Sequence, residues 1–323
     1  MKKVFAIVLA AAMMLAMTAC GASNEAPKTS DGASYTVAIV QQLDHISLDE
    51  IRLAIEAELD KLAQENGVTI SYDEFNGQND SSVLMQIGSQ VGDKYDAIIP
   101  IATLAAQCMA TATEESQVPV IYAAISDPAA AGLTDIANVT GTSDALNVGS
   151  IFDMMQAVGG IDKVGLLYSL SEPNSAAPIA QMKEILGQNG IDYIEKTGNT
   201  TDEVVTAAAA LVNSKCNIVF TPTDNVVMAA EPAVAEIFDK AGILHYTGAD
   251  SFVIEGAFAT CGVNYTDLGT YTADMTFDIL KGGAVPEYHV MDGGIITVNK
   301  GVAAACGVDT GVLAQFGELV EVE

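Results

Sequence analysis

Catalytic and metal-binding motifs are missing from this sequence of 323 residues. It contains none of the patterns GxSxG, GxxxxGK(S/T), GxGxxG and HExxH. It has three histidines, His45, His245 and His289, and its five cysteines form no CxxC pair and no Cys/His cluster. This pattern argues against a zinc site and against a thioredoxin-type redox site. We therefore expect a protein without enzymatic activity, cofactor or metal ion.

Basic residues are few in this chain. Its 13 Lys and Arg stand against 42 Asp and Glu, which gives a formal net charge of −29. A surface of this charge repels the phosphate backbone of nucleic acids, so we expect no nucleic-acid partner. It also repels anionic lipids, so attachment to a membrane would depend on an anchor.

The N-terminus has the pattern of an export signal. Two lysines precede the uncharged run VFAIVLAAAMMLAM, which is shorter than the ~20 residues of a transmembrane helix. Ala19 and Cys20 follow, and a small residue before a cysteine resembles the bacterial lipobox, in which the cysteine is lipidated. We predict a signal peptide over residues 1–19, a lipidated Cys20 and a flexible, polar tether over residues 20–34. The alternative is a plain cleaved signal with an incidental cysteine.

The other four cysteines are far apart and lie in apolar or small-residue surroundings. Buried free thiols are the default expectation, and a disulfide remains an alternative for an exported protein, although the sequence cannot choose a pair. These cysteines are Cys108, Cys216, Cys261 and Cys306.

Strand and helix signals alternate along the rest of the chain. Apolar strands such as TVAIVQQ, DAIIPIA and VPVIYAAI recur in the first half, and KVGLLYS, NIVFTPT and ILHYTGA recur in the second. Ser47 and Glu50 are predicted to form a capping box at the first helix after the tether. Repeated β-α-β units predict an α/β fold with doubly wound parallel sheets. The helices are predicted near residues 47–64, 80–92, 103–115, 174–189, 201–213 and 225–240.

The two halves of the chain echo each other. DAIIPIATLAAQ followed by VPVIYAAISDP has the same order of strand, polar turn, helix, strand and acidic turn as NIVFTPTDNVVMAA followed by ILHYTGADSF. About 290 residues after the tether suit two lobes better than one core. Because ligands of open parallel sheets bind beyond the carboxyl ends of the strands, we expect a binding cleft between two facing lobes.

Polar residues at the strand ends are therefore the candidate ligand contacts. Thr103 and Ser175 lie at predicted helix starts, where N–H groups and a hydroxyl suit a carboxylate. Asp224 and Asp250 can accept hydrogen bonds from an ammonium group, so the set suits a zwitterionic amino acid. The alternative is that Thr103, Ser175 and Asp224 only cap helices. The strand-end candidates are His45, Thr103, Asp127, Asn174, Ser175, Asp224, Asn225, Asp250 and Ser251.

Three further positions near the strand ends stay open. His45 either lines the cleft or caps the following helix on the surface. Tyr122 either stacks on a flat ligand or packs in the core near the end of its strand. Gln42, directly after the first strand, is an additional candidate contact.

The chain resembles the ABC-transporter substrate-binding proteins of the tryptophan/tyrosine (TrpX-like) family. The resemblance extends over nearly the whole chain after the signal, and its most specific parts are DP after the fourth strand, EPNS and PTDN. The segments that carry it, in order, are VAIVQQLDHISLDEIRLAI, AIIPIATLAAQ, VPVIYAAISDP, NVTGTSD, VGLLYSLSEPNSA, FTPTDNVV, GVNYTDLGTYTADMTFDILKG and ITVNKGVAAACGV.

This resemblance implies a periplasmic-binding-protein fold of the ribose-binding type, with two doubly wound lobes joined by crossing strands. One lobe would comprise residues 35–142 with about 264–290, and the other residues 143–263 with about 291–323. The implied ligand is an α-amino acid, often an aromatic one. The implied contacts are Thr103, Asp127, Asn174, Ser175, Asp224 and Asp250.

The function expected from these observations is ligand capture for import. We predict an exported monomer, lipid-anchored to the outer face of the cytoplasmic membrane or periplasmic, that delivers a small ligand to an ABC permease and its ATPase. The alternatives are a ligand-sensing module of a receptor system, or a binder of another small solute such as a nucleoside or a sugar.

Overall fold

The structure is a computed structural model and describes residues 32–323. The signal peptide predicted for residues 1–19, the lipidation of Cys20 and most of the tether predicted for residues 20–34 lie outside the described residues. Within the described part of the chain, no helix is both long and apolar enough to cross a membrane.

Strands and helices alternate as the apolar patterns predict. The strands are β1 (Ser34–Gln41), β2 (Thr69–Asn76), β3 (Ala97–Ile101), β4 (Val120–Tyr122), β5 (Val139–Ser143), β6 (Val164–Tyr168), β7 (Tyr193–Thr197), β8 (Ile218–Thr221), β9 (Leu244–Thr247), β10 (Ala259–Gly262), β11 (His289–Val290), β12 (Ile295–Asn299) and β13 (Glu318–Val322). The α-helices are α1 (Ile46–Asn66), α2 (Ser81–Val91), α3 (Thr103–Ala112), α4 (Val148–Val158), α5 (Ala176–Gln188), α6 (Thr201–Asn213), α7 (Asn225–Ala241), α8 (Asp250–Ile254), α9 (Tyr265–Leu280) and α10 (Lys300–Cys306). Two 3₁₀ helices cover Pro173–Ser175 and Thr310–Gln315.

The strands form two sheets. The first sheet has the order β11-β5-β4-β3-β1-β2, and all its pairings are parallel. The second has the order β13-β12-β10-β9-β8-β6-β7, and among its pairings only that of β10 with β12 is antiparallel. The predicted fold class, parallel α/β sheets covered by helices, is confirmed.

The chain crosses between the sheets three times, after β5, after β10 and after β11. We call the first sheet with its helices the N-lobe (residues 34–143 and 265–290) and the second the C-lobe (residues 148–262 and 295–322). Two-lobed proteins commonly open and close by rotation about the segments that join their lobes, and the three crossings are those segments here.

The start of α1 differs from the sequence prediction. The N-cap position is His45, whose side chain makes no capping hydrogen bond, and the predicted capping box of Ser47 and Glu50 is wrong. The Ser47 hydroxyl instead lies 2.5 Å from the hydroxyl of Ser251 in the C-lobe, and the Glu50 carboxylate accepts a hydrogen bond from Thr266. Both side chains therefore bond to residues of other helices and do not cap α1.

Helix α9 packs closely on α1 in the N-lobe, and Gly269 permits the contact. A Cβ atom at this position would lie 2.6 Å from the carbonyl oxygen of Ile51 and 2.7 Å from Cβ of Ala54. Real Cβ atoms do not approach other atoms so closely, so any larger residue would push the helices apart. The apolar face of α1, which includes Ile51, Ile55 and Leu59, is thereby fully buried.

Candidate ligand-binding site

A small cavity lies between the lobes, at the carboxyl ends of strands from both sheets. Its volume is about 20 Å³, room for roughly one water molecule. The lobes therefore have to separate before a molecule as large as an amino acid can enter. The lining residues are His45, Ser47, Leu48, Ala102, Thr103, Ala124, Ser126, Asp144, Asn174, Thr223, Asp224, Asn225, Met228, Ala249, Phe252 and Tyr265.

Asp224 lines the cavity, but its carboxylate is largely engaged within the protein. One oxygen caps α7 by accepting from the backbone N–H of Val227 at 3.0 Å. The other accepts from the backbone N–H of Ser169 and from the hydroxyl of Ser175, both at 2.7 Å. Burial raises the pKa of Asp224, and these three donors oppose that rise. The carboxylate therefore has little capacity left for a ligand, because it can accept about four hydrogen bonds in all.

Asp144 is the more available carboxylate. It follows β5 in the first crossing segment, is 5% exposed, and accepts one hydrogen bond on each oxygen, from the hydroxyls of Ser126 and Tyr265 at 3.0 Å. Burial raises its pKa, and a cationic partner would favour the charged form. Its own backbone N–H is a third donor, so the carboxylate keeps about one acceptor site for such a partner.

Behind the cavity, Glu172 joins the two lobes. It is 2% exposed, and its oxygens accept from the side-chain amides of Gln42 at 2.7 Å and Asn225 at 2.6 Å. Burial, and then the nearby charge of Asp224, raise the pKa of Glu172 to about 8. Asn225 in turn lies 3.1 Å from Nε2 of His45, so a chain of hydrogen bonds reaches from Gln42 to the cavity wall.

Two acceptors in the cavity wall have no partner among the described residues. They are Nδ1 of His45 and Oδ1 of Asn174. The amide of Asn174 is oriented by its other end, since its nitrogen donates to the carbonyl of Thr223 at 2.5 Å. Burial lowers the pKa of His45 to about 4, so the ring is neutral at physiological pH. Because buried acceptors without donors are costly, both atoms are candidates for contact with a bound ligand.

The start of α3 supplies hydrogen-bond donors to the cavity wall, in contrast to the acceptors described above. Its first backbone N–H groups have no partner within the helix, and that of Leu104 is taken by Gln42. Thr103, 2% exposed, adds a hydroxyl to this wall. Ala102 and Ala124, at the ends of β3 and β4, have φ values of 75° and 59°, a strained conformation for a residue other than glycine. Backbone strain at two turns that line the cavity is typical of a ligand-binding site.

The remaining lining is apolar and partly aromatic. Leu48 and Met228 come from the first turns of α1 and α7, and Phe252 from α8, and each is almost completely buried. Tyr265 adds a ring whose hydroxyl is already held by Asp144. An apolar wall beside charged and amide groups fits a ligand with a polar head and an apolar side chain.

Several sequence-predicted residues lie beside the cavity rather than in its lining. Ser175 orients Asp224, Gln42 holds Glu172, and Ser251 contacts the other lobe through Ser47. Each acts through a residue that reaches the cavity or the lobe interface.

Three others lie further away. Asp127 is exposed and accepts from the backbone N–H of Ala130 in its own turn. Asp250 begins α8, is half-buried, and accepts from the N–H of Ser251, with a pKa raised to about 6 by burial and by Glu50. Tyr122 is fully buried and borders a separate crevice of the N-lobe.

Sequence reasoning missed the residues whose role depends on side-chain direction. Asp144, Ser126 and Phe252 follow strands as the predicted contacts do, and Asp144 belongs to the segment NVTGTSD. Glu172 opens the EPNS segment, yet nothing in the sequence indicates that it is buried. The four cysteines in the described residues are free, three of them buried and Cys306 half-buried.

Two parallel α/β lobes that close on a polar cavity at their strand ends define a two-lobed solute-binding protein. A family model for ABC transporter substrate binding proteins matches residues 36–313. The chain belongs to this family, whose members act outside the cytoplasm and bind solutes.

Relatives in sequence and in structure support this assignment. The chain is 30% identical over 303 residues to the tyrosine-binding protein of Clostridioides difficile (strain R20291), covering 90% of this chain and 87% of the relative. A structure from Streptococcus pneumoniae in complex with L-Trp is 28% identical, with a TM-score of 0.80 over 89% of this chain and 100% of that one. Solute-binding proteins only 13% and 17% identical share the fold, which is the periplasmic-binding-protein fold of the ribose-binding type.

The lobe arrangement resembles that of the ligand-bound relative. A ligand-free, open structure of a substrate-binding protein with adhesive properties from Clostridium difficile is 31% identical and covers 90% of this chain and 100% of its own. Its TM-score is 0.65, lower than the 0.80 of the less similar L-Trp complex. This difference agrees with the small cavity and indicates a closed arrangement of the lobes.

Proposed function

We propose that the protein captures an α-amino acid, most favourably an aromatic one, outside the cell and delivers it to an ABC importer. The observation that carries the proposal is the cavity, which combines acceptors for an ammonium group with donors for a carboxylate. Neither a sugar nor a nucleoside calls for this combination.

The ammonium end of the ligand would be held by Asp144, with Nδ1 of His45 and Oδ1 of Asn174 as neutral acceptors. This assignment replaces Asp224, whose oxygens already accept three hydrogen bonds within the protein. Asp224 retains a structural role, because it positions Ser169 and Ser175 and caps α7.

The carboxylate would lie at the start of α3, where Thr103 lines the cavity and the first backbone N–H groups have no partner within the helix. The side chain would then lie against Phe252, Tyr265 and Met228. Relatives that bind L-Trp or are named for tyrosine support an aromatic side chain here.

The proposed export and membrane attachment are inferred from the sequence. The basic start, the apolar run and the Ala19-Cys20 pair support export and a lipid anchor at Cys20. The membership of the family supports an ABC permease and its ATPase as partners.

Isothermal titration calorimetry against the twenty amino acids, a nucleoside panel and a sugar panel tests the ligand class. We expect binding of L-tyrosine or L-tryptophan and no binding of sugars. Small-angle scattering should then show a smaller radius of gyration with the bound ligand than in an open, unliganded sample. Binding of a sugar with no amino acid binding would leave the family intact and refute the proposed ligand.

A further inference from the structure

The buried chain of hydrogen bonds behind the cavity is fixed at one end. Oε1 of Gln42 accepts from the backbone N–H of Leu104 at 3.0 Å, and its Nε2 donates to Asn79 at 2.8 Å and to Oε1 of Glu172 at 2.7 Å. A backbone N–H can only donate, so the Gln42 amide cannot turn over. Oε1 of Glu172 therefore always faces this donor, so we place a proton bound by Glu172 on Oε2, on a carboxyl group that also accepts from the backbone N–H of Asn225.

The other end of the chain is not fixed in this way. Oε2 of Glu172 contacts the Asn225 amide at 2.6 Å, and Asn225 contacts Nε2 of His45 at 3.1 Å. When Glu172 is ionised, Asn225 donates to it through Nδ2 and accepts through Oδ1 from a proton on Nε2 of His45. Nδ1 of His45, a residue that lines the cavity, is then an acceptor without a partner among the described residues.

Protonation of Glu172 reverses the two bonds at this second end, from Glu172 to Asn225 and from Asn225 to His45. A proton on Oε2 needs an acceptor, so the Asn225 amide turns and presents Oδ1 to Glu172. Its Nδ2 then donates to Nε2 of His45, which must be unprotonated. The ring, still neutral, carries its proton on Nδ1 and presents a donor to the cavity.

We propose that Glu172 is a positioning residue that sets, through Asn225, whether His45 presents an acceptor or a donor to the ligand. One proton is taken up from solvent in total, and it resides on Glu172. His45 loses the proton on Nε2 and gains one on Nδ1, so its charge does not change.

Burial and the surrounding charges place the titration of Glu172, and with it the change of the His45 tautomer, near neutral pH. Burial and then the carboxylate of Asp224 raise the pKa of Glu172 to about 8. Burial lowers the pKa of His45 to about 4, against the opposing effects of Asp49 and Asp44, so His45 itself does not titrate in this range. We call the chain from Glu172 through Asn225 to His45 the relay. The relay with ionised Glu172 is therefore the state above about pH 8.

The consequence for binding rests on the proposed function. An ammonium group needs an acceptor at Nδ1 of His45, which the ionised relay provides and the protonated relay removes. Affinity for an amino acid should therefore rise with pH from about 7 until the ligand's own ammonium group begins to lose its proton.

The tautomer of His45 can be measured without a ligand. The relay spans both lobes, so the closed state is first held by a disulfide in the Ser47→Cys/Ser251→Cys variant, whose parent hydroxyls are 2.5 Å apart. Long-range ¹H–¹⁵N correlation spectra then report which ring nitrogen carries the proton. We expect the Nε2–H form at pH 9 and a shift towards the Nδ1–H form by pH 6.5.

Two substitutions in this cross-linked protein make the test specific. In Glu172→Gln the new amide must direct its oxygen to Gln42 and its nitrogen to Asn225, so His45 should hold the Nδ1–H form from pH 6.5 to pH 9. The matched control is Glu231→Gln, which replaces another buried carboxylate, 2.9 Å from Nδ1 of His245. It should change the signals of His245 and leave those of His45 alone.

The outcomes separate the two proposals. A His45 tautomer that is the same in the parent at pH 9 and in Glu172→Gln would overturn the relay. Should Glu172→Gln fail to fold, a tautomer that does not change with pH in the parent would overturn it equally. A tautomer that switches as expected, while the protein without the cross-link binds no amino acid, would support the relay and refute the proposed ligand.

Discussion

Replacing Asp144 by asparagine separates the charge of this residue from its hydrogen bonds. The two hydroxyls that donate to Asp144, those of Ser126 and Tyr265, can also accept. Asparagine can therefore accept from one and donate to the other, so neither neighbour is left without a partner. Because burial raises the pKa of Asp144, the neutral side chain also avoids the cost of a buried charge. We expect a folding stability within about 0.5 kcal/mol of the parent, or higher.

Ligand binding should respond differently from stability. If Asp144 accepts from the ligand's ammonium group, asparagine replaces a charge-assisted hydrogen bond in a closed, water-poor cavity by a neutral one. Truncation of such pairs costs ~2–5 kcal/mol, which corresponds to a loss of affinity of roughly 30-fold to several thousand-fold. Calorimetry with L-tyrosine and L-tryptophan measures this loss directly, after urea denaturation has shown that the variant is folded.

Asp224→Ala is the matched comparison, because Asp224 lies in the same cavity wall. Alanine removes the cap of α7, at about 0.5–2 kcal/mol, and leaves the buried N–H of Ser169 and hydroxyl of Ser175 without acceptors, at about 1–3 kcal/mol each. The total of roughly 3–8 kcal/mol approaches the stability of a typical protein, so Asp224→Ala should lower the melting temperature severely. Asp144→Asn binding as tightly as the parent would refute the ammonium assignment, and an unchanged melting temperature for Asp224→Ala would refute its structural role.

Three other predictions follow from the anchor, the lobe interface and the buried carboxylates. Cys20→Ser should move the protein from the membrane fraction to the soluble fraction without changing its melting temperature, and unchanged retention of the variant would contradict lipidation. The Ser47→Cys/Ser251→Cys disulfide should slow ligand exchange by orders of magnitude in stopped-flow fluorescence or filter assays, and reduction should restore the parent rate. The pKa of Glu172 is about 8 in the folded protein, against an ordinary value of 4.5 in the unfolded chain. Protonation of Glu172 therefore stabilises the fold fully below pH 4.5, and this stabilisation is lost as the pH rises through about 8. Between pH 6 and 9 the free energy of unfolding, measured in urea, should therefore fall less in Glu172→Gln than in the parent.

The position of the site was predictable because the fold is periodic. Apolar runs of strand length and helical spacing fix where each strand ends, and parallel strands place those ends on one edge. Thr103, Asn174 and Asp224 were found in this way, and all three line the cavity. His45, for which the sequence left two alternatives, occupies the N-cap position of α1 while its ring reaches the cavity.

The direction of each side chain was not predictable. Asp127 and Asp250 occupy corresponding acidic turns, yet each accepts from a backbone N–H of its own turn and neither lines the cavity. A short acidic side chain has this local alternative wherever a turn offers a free N–H. Ser47 shows the reverse, since its sequence position suits a helix cap and its hydroxyl is used between the lobes. Only the packed structure decides between local and long-range partners.

The contacts between the lobes have a strength that suits reversible capture. Besides the link from Gln42 to Glu172, the pairs His45–Asn225, Ser47–Ser251 and Ser126–Thr223 join the lobes by hydrogen bonds. In an open protein water would replace each of these bonds, so each favours closure by only about 0.5–1.5 kcal/mol. Four such bonds contribute roughly 2–6 kcal/mol, which the ordering of the side chains that make them partly offsets. The balance between open and closed states thus lies within the range that one bound ligand can shift, and the ligand, which cannot enter the closed cavity, must bind to the open state first.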